Sequence, residues 1–295
     1  MGNFQELFGP NETYDYFQLA GTHAFQTESD GFSLVNASWL ADAALLSYLE
    51  EEADVQRRLA SAGLEGRCIG FGRPGAQAFV AHGRGWALVS FRGTEDWKDA
   101  LQDLEANLGE RPPHRGEVHS GFHRALSSIW DRVSQELEAL PRPATGPLPV
   151  WFTGHSLGAA MATLAADLYG TVRAVYTFGS PRVGNSDFRD FRDSVGPPVY
   201  RFVNNNDLIV DLPPGRPVTA YRHVGAFKYF DESGKLVEDP SWWTRTKDGL
   251  RGHWEAFQEQ LRDLARLDLD EINWDSLRDH SPTAYATNAR AAVPR

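Results

Sequence analysis

The sequence feature that most constrains the fold is a run of five residues near the middle of the chain. Residues 154–158 read Gly-His-Ser-Leu-Gly, directly after the apolar segment 150–153 and directly before a helical pattern that ends at Gly170. A strand that turns sharply into a helix brings the two elements close together, and the glycines remove side chains at that point. We expect Ser156 at the exposed tip of the turn and His155 pointing away from it. The alternative is a glycine-rich turn in which the serine only caps the helix.

Apolar segments of strand length alternate with helical patterns along the chain. The predicted strands are 77–81, 86–91, 150–153, 174–178, 199–203 and 218–224, and the predicted helices are 33–63, 122–140, 157–169 and one around 254–264. This alternation is typical of an α/β fold with a mostly parallel central sheet and helices on both faces. No segment is long and polar enough to divide the chain. We therefore predict one domain over residues 1–295, with a loop-rich N-terminal extension at 1–32.

Charge excludes some classes of partner. The chain has 29 Lys and Arg against 40 Asp and Glu, a formal net charge of −11. Such a chain is repelled by phosphate backbones and by anionic lipid surfaces, so we expect no nucleic-acid partner. No apolar stretch approaches the ~18 residues of a spanning helix, so at most a transient contact with a neutral lipid interface is expected.

The cysteine content and residues 1–7 bear on the cellular location of the protein. Cys68 is the single cysteine, so neither an intrachain disulfide nor a thiolate zinc site can form. Residues 1–7 lack the basic start and apolar run of a secretory signal. These observations predict a cytoplasmic location, with leaderless export as the alternative.

A serine hydroxyl becomes an effective nucleophile only when a base removes its proton. At a strand–turn–helix elbow, the acid and then the histidine follow the serine along the chain. The histidines that follow are His223, His253 and His280. We favour His280, because Ser281 and Pro282 after it are typical of a helix start and leave it on a loop. His223 within a predicted strand and His253 at the start of the last helix stay as alternatives.

The acid is expected just beyond the carboxyl end of a strand. The predicted strand 199–203 is followed by three asparagines and then by Asp207, with Asp211 as the second candidate. An aspartate that only stabilises an asparagine-rich turn is the competing structural interpretation.

Six segments occur in the order in which one known family has them. They are 91–94 (Phe-Arg-Gly-Thr), 118–122 (Val-His-Ser-Gly-Phe), 154–158, 177–185, the pair 206–207 before 212–214 (Leu-Pro-Pro), and 279–281 followed by Tyr285. With these segments, the chain from about residue 33 to residue 285 resembles the class 3 lipases, the fungal-type triacylglycerol lipase family. The resemblance implies the α/β-hydrolase fold.

The resemblance also implies the site residues and the activity. The implied catalytic triad is Ser156, Asp207 and His280, and the implied oxyanion hole is formed by the backbone N–H groups of Thr94 and Leu157. One such donor typically lowers the barrier by about 3–4 kcal/mol, because it meets the charge of the tetrahedral intermediate without reorganisation. The implied activity is that of a serine carboxylic-ester hydrolase, lipase-like, cleaving acylglycerols or similar esters through an acyl-enzyme. It requires no metal or organic cofactor.

Other functions stay open at this point. Within the enzymes, the alternatives are a phospholipase A1, a polar-ester esterase of feruloyl type and a peptidase. From a different class, a catalytically idle α/β-hydrolase could serve as a binding module. Two departures from the family concern Val210, where a proline is usual, and the disulfides of secreted fungal members, which a chain with one cysteine cannot form.

Between the first two of these six segments the family carries its lid. Here Trp97, Leu101, Leu104 and Leu108 recur at helical spacing, which predicts a short helix with one apolar stripe. We therefore predict a lid at about 95–110, which covers the site in water and opens on apolar substrate. The alternative is that the stripe packs permanently on the core.

Overall fold

The computed structural model describes residues 11–29, 31–93, 116–144, 146–213, 220–237 and 274–294, together with 108–110. For 108–110 and 274–276 only the backbone is described. Within these ranges, no helix combines the length and the hydropathy that crossing a membrane requires.

Within the described residues, ten strands form the frame of the fold. In chain order they are β1 (Glu65–Ile69), β2 (Ala78–Gly83), β3 (Trp86–Phe91), β4 (Leu108–Glu110), β5 (Val118–His119), β6 (Val150–His155), β7 (Ala174–Phe178), β8 (Val199–Asn204), β9 (Ala226–Phe230) and β10 (Leu236–Val237). Eight form one sheet in the order β1-β2-β3-β6-β7-β8-β9-β10, while β4 pairs with β5. The pairs from β3 to β9 are parallel, and the outer pairs are antiparallel. The predicted α/β fold with a mostly parallel sheet is confirmed.

Helices cover both faces of this sheet. In chain order they are α1 (Leu34–Leu46), α2 (Glu52–Ser61), α3 (Ser120–Ser127), α4 (Trp130–Ala139), α5 (Leu157–Tyr169), α6 (Ser186–Val195), α7 (Trp274–Asp279) and α8 (Pro282–Ala291). Successive strand residues point to opposite faces. Val89 and Phe152 therefore join the core under α3, α4 and α5, whereas Leu88 and Trp151 join the core under α1, α2 and α8.

Two helices predicted as continuous are each broken. The predicted helix 33–63 is α1 and α2, and the predicted helix 122–140 is α3 and α4. At each break a serine hydroxyl bonds back to the carbonyl three residues earlier, Ser47 to Ala44 and Ser128 to Ala125, both at 2.7 Å. Such local bonds compete with the helical ladder, which the apolar spacing alone did not reveal.

The predicted strand 218–224 is wrong. Within its described part, 220–224, only Arg222 makes an isolated bridge, to Gly184. The strand that pairs with β8 is β9, which begins at Ala226. Gly225 at φ +86° precedes it and lies against Val199, where a β-carbon would clash with the backbone, so pairing starts only after this residue. The predicted helix around 254–264 lies outside the described residues.

The lid at about 95–110 stays a prediction, but the helix predicted for it does not include Leu108. This residue begins β4 and pairs with His119 of β5 in an antiparallel ladder. An extended strand cannot continue the helical spacing on which the predicted apolar stripe depended. Trp97, Leu101 and Leu104 lie outside the described residues.

The N-terminal segment packs on the sheet through aromatic side chains. Tyr14, Phe17 and Phe25 are buried, and Phe25 stacks on Trp86 with ring centroids 4.0 Å apart. The buried carboxylate of Asp42, on α1, accepts hydrogen bonds from the Tyr14 hydroxyl at 2.9 Å and the Phe17 N–H at 2.6 Å. Burial raises the pKa of Asp42 to about 7, because the charged form loses its hydration.

We predict that Asp42 makes the stability of the protein fall as the pH rises. Its folded-state pKa of about 7 lies above the ordinary value of 3.8, so the contribution is present below about pH 4 and is lost as pH rises through about 7. The shift corresponds to at most roughly 4 kcal/mol. Chemical denaturation at several pH values should show a shallower decline of the unfolding free energy in Asp42→Asn than in the wild type. Equal slopes for the wild type, Asp42→Asn and the control Asp131→Asn, at an exposed position, would refute this role.

Candidate active site

Ser156 occupies a strained turn between β6 and α5. Its backbone has φ +57° and ψ −124°, a conformation that residues other than glycine rarely adopt. The Ser156 N–H donates to the carbonyl of Phe178 at 3.0 Å, which ties the turn to the end of the neighbouring strand β7. The strain is therefore supported by the surrounding sheet.

The two flanking glycines allow the elements to approach. A β-carbon at Gly154 would overlap the carbonyl group of Gly158, and one at Gly158 would overlap the carbonyl oxygen of Phe91 at the end of β3. Both glycine positions of the run 154–158 therefore require a residue without a β-carbon. The site lies at the carboxyl ends of the parallel strands, where α/β folds form their crevices.

The structure brings the three predicted triad residues together. His280 lies between α7 and α8, and its Nε2 is 3.0 Å from Ser156 Oγ. Its Nδ1 is 2.8 Å from Asp207 Oδ2. A carboxylate only accepts hydrogen bonds, so Nδ1 carries the proton and Nε2 is left to accept from the serine hydroxyl. His280 and Asp207 are each 3% exposed, which shields the arrangement from water.

The other candidates for the catalytic acid and the catalytic histidine are Asp211, His223 and His253. Asp211 pairs with Arg182 at 2.5 Å, and the carboxylate that faces His280 Nδ1 belongs to Asp207. His223 follows the bridge at Arg222, outside any strand, and His280 occupies the place beside the serine. His253 lies outside the described residues.

Tyr285 holds the acid in place. Its hydroxyl donates to Asp207 Oδ2 at 2.6 Å and accepts from the N–H of Asn204 at 3.0 Å. Burial, and then the charge of Asp207, raise the pKa of Tyr285 well above its ordinary value, so the hydroxyl keeps its proton. Asp207 Oδ1 accepts from the N–H of Ile209 at 3.0 Å. Sequence reasoning had given Tyr285 no role, although it belongs to the last of the six family segments.

The asparagine-rich turn holds the histidine loop. Asn205 Nδ2 and the N–H of Asn206 both donate to Asp279 Oδ2, at 2.9 and 3.0 Å. Asn204 Nδ2 donates to the backbone carbonyl of Asp279 at 2.9 Å. The run of asparagines, interpreted from sequence as a turn, therefore also anchors the residue before His280.

Gly179 gives the imidazole room. Its φ is +60°, and a β-carbon there would lie 2.9 Å from His280 Cε1 and 3.2 Å from Asp207 Oδ2. Any side chain at this position would displace the histidine from its carboxylate.

His155 is a further member of the site that sequence reasoning missed. Its Nε2 lies 2.7 Å from the backbone carbonyl oxygen of His280, and its Nδ1 lies 2.8 Å from the Tyr48 hydroxyl. Burial, and then the neighbouring His280, lower the pKa of His155 well below 6.5, so the ring is neutral. Chain order alone predicts only that this side chain points away from Ser156.

Of the two residues predicted to form the oxyanion hole, the structure describes one. Leu157 is the first residue of α5, where backbone N–H groups have no helical partner and the helix dipole is positive. Thr94 lies outside the described residues. Among the residues that the structure describes, no group of three His, Cys, Asp or Glu side chains could hold a metal ion.

A parallel sheet with a serine on a strained elbow, followed in the chain by a paired aspartate and histidine, defines the α/β-hydrolase class. Residues 88–216 match the family model described as lipase (class 3). The resemblance predicted from the sequence is thereby confirmed for this part of the chain.

Relatives show the same similarity. The chain is 38% identical over 153 residues to a chloroplastic phospholipase A1 of Arabidopsis thaliana, covering 44% of this chain and 34% of that protein. It is 33% identical over 175 residues to a secreted mono- and diacylglycerol lipase of Fusarium solani, covering 57% and 51%. A solved triacylglycerol lipase, whose catalytic centre is described as a serine protease triad, is 26% identical with a TM-score of 0.55, covering 67% and 80%. The matches span about a third to a half of these curated relatives.

We predict that Gly158→Ala damages the elbow. The added methyl group would overlap the carbonyl oxygen of Phe91, so β3 and α5 must separate. Overpacking of this kind costs about 1–3 kcal/mol, and the displaced serine should react with a fluorophosphonate at least about tenfold more slowly. Gly21→Ala is the matched control, because a β-carbon there meets no atom within 4 Å. Thermal unfolding and labelling rates equal to those of the control would contradict the prediction.

Proposed function

We propose that this chain is a serine carboxylic-ester hydrolase of lipase type, which cleaves acylglycerols or similar lipid esters. The observation that carries the proposal is the position of His280, whose ring nitrogens lie 3.0 Å from Ser156 Oγ and 2.8 Å from Asp207 Oδ2. Each nitrogen thus faces the one partner that general-base catalysis requires.

In the first half of the reaction the ester acylates the serine. Ser156 Oγ attacks the ester carbonyl while His280 Nε2 takes its proton. The carboxylate of Asp207 holds the imidazole in the required tautomer and stabilises the imidazolium. The tetrahedral intermediate collapses when Nε2 gives the proton to the leaving alcohol. The step requires that Nε2 of the imidazole is free to accept the proton.

In the second half water releases the acyl group. His280 takes a proton from water, which attacks the acyl carbonyl, and then returns that proton to Ser156 Oγ. In both tetrahedral intermediates, the backbone N–H of Leu157 donates a hydrogen bond to the oxyanion. Thr94 is the second donor implied by the family. No metal or organic cofactor enters this sequence of steps.

The relatives support the class of substrate. Similarity to the mono- and diacylglycerol lipase of Fusarium solani supports an acylglycerol as the substrate of this chain. Similarity to the phospholipase A1 of Arabidopsis thaliana supports a phospholipid as the second candidate. The net charge of −11 disfavours an anionic phospholipid surface, which is the reason for placing the acylglycerol first.

We expect Ser156→Ala to lose at least about a thousandfold in ester hydrolysis, because no other group supplies the attacking oxygen. The loss should be measured with a soluble nitrophenyl ester and by labelling with a fluorophosphonate. Ser61→Ala, at an exposed position in α2, should behave as the wild type. Full esterase activity in Ser156→Ala would falsify the assignment of the nucleophile.

A substrate series separates the candidate functions. Nitrophenyl esters from acetyl to palmitoyl, triacylglycerol emulsions and neutral or anionic phospholipid vesicles should be compared at one enzyme concentration. We expect the highest rates on long-chain neutral esters and the lowest on anionic vesicles, since the protein is repelled by negative charge. Preference for neutral phospholipid would instead favour the phospholipase A1, and preference for the shortest esters would favour the polar-ester esterase.

A further inference from the structure

One buried pair of side chains, Tyr48 and His155, joins separate parts of the site. Tyr48 lies in the turn that follows α1, and His155 is the last residue of β6, immediately before Ser156. Both side chains are about 1% exposed. The Tyr48 hydroxyl meets His155 Nδ1 at 2.8 Å, and His155 Nε2 meets the backbone carbonyl oxygen of His280 at 2.7 Å.

Hydrogen-bond chemistry fixes the direction of both contacts. A carbonyl oxygen only accepts hydrogen bonds, so His155 Nε2 must carry the ring proton and donate a hydrogen bond to the backbone carbonyl of His280. In a neutral ring the other nitrogen is then an acceptor, and Nδ1 takes the hydrogen of the Tyr48 hydroxyl. Burial lowers the pKa of His155 and raises that of Tyr48, so neither group is charged. The pair therefore has one tautomer and one direction of donation.

The contact with His280 is made to its own main chain. The imidazole of His280 must meet Ser156 Oγ, which belongs to the residue after His155. The neighbour of the nucleophile thus holds the backbone of the base, although 124 residues separate the serine and the histidine in the chain. A small shift of Ser156 or of the His280 backbone lengthens the distance between Ser156 Oγ and His280 Nε2. Reaction rates fall steeply with such misplacement.

The same pair lies against the segment after β3. A β-carbon at Gly93 would overlap the Tyr48 hydroxyl and would lie 2.7 Å from the carbonyl oxygen of His155. Gly93 precedes Thr94, the second oxyanion donor implied by the family. The charged and titratable groups around the pair are His280, Tyr285, whose ring lies 5.6 Å from that of His155, and Arg92, which lies 5.9 Å from the Tyr48 ring.

We propose that His155 is a positioning residue, which, supported by Tyr48, holds the main chain of His280 in register with Ser156. The inference rests on the proposed hydrolase function and deepens it. His155 touches neither substrate nor reacting atom in this role, and its effect on the reaction passes through His280.

Three variants test the proposal on a soluble nitrophenyl ester. His155→Phe removes both bonds and should lower kcat at least about tenfold, the rate equivalent of one ordinary hydrogen bond, with KM within about twofold of the wild type. His155→Gln keeps an N–H donor at a similar reach and should recover most of kcat. Tyr48→Phe leaves His155 without its partner and should lower kcat about threefold or more. Fluorophosphonate inactivation rates should fall in parallel with kcat.

His82→Gln is the matched control, because His82 lies in β2 beside Glu65 at the far side of the sheet. If kcat of both His155→Phe and Tyr48→Phe equals that of the wild type, or if only KM changes, the positioning role is overturned while the hydrolase function stands. If His155→Phe does not fold, as judged by thermal unfolding, the kcat of Tyr48→Phe decides in the same way. A folded wild-type chain that neither hydrolyses the ester nor reacts with the fluorophosphonate overturns the proposed function, and the positioning role with it.

Discussion

The close approach of β3, β6 and α5 is the constraint on which the site depends. It can occur only because Gly154 and Gly158 lack β-carbons, which would otherwise meet backbone atoms. That approach places Ser156 at φ +57°, a strained conformation that the hydrogen bond to Phe178 helps to hold. The position of Ser156, the proposed nucleophile, is therefore set by backbone packing.

A second layer of the site is a buried network of polar groups. Asp207 accepts hydrogen bonds from His280, Tyr285 and the N–H of Ile209, so its buried carboxylate has partners on both oxygens. Buried polar groups destabilise a fold when unpaired and rigidify it when paired. In this protein the pairing also fixes the tautomer of His280. The interactions that keep the acid stable in the interior are thus the ones that orient the base.

Local sequence patterns predict the site and the central strands better than they predict where the other elements begin and end. The elbow, the parallel strands and the candidates Asp207 and His280 follow from local patterns, namely a Gly-His-Ser-Leu-Gly run, apolar strand segments and chain order. The helix breaks at Ser47 and Ser128 and the start of β9 were mispredicted. The serine hydroxyl bonds found at the two breaks, and the steric contact between Gly225 and Val199 before β9, leave no trace in the apolar periodicity.

The sequence by itself determined which residues could take part in the chemistry, because a strand–turn–helix elbow needs glycines at fixed spacing, as at Gly154 and Gly158. Only the tertiary structure decided which of these residues meet. His280 reaches Ser156 because α7 and α8 close over the ends of β6 and β8, and because His155 and the asparagines after β8 hold the loop between those helices. The bonds involved join residues 73 to 125 positions apart, and side-chain contacts over such separations leave no local pattern in a single sequence.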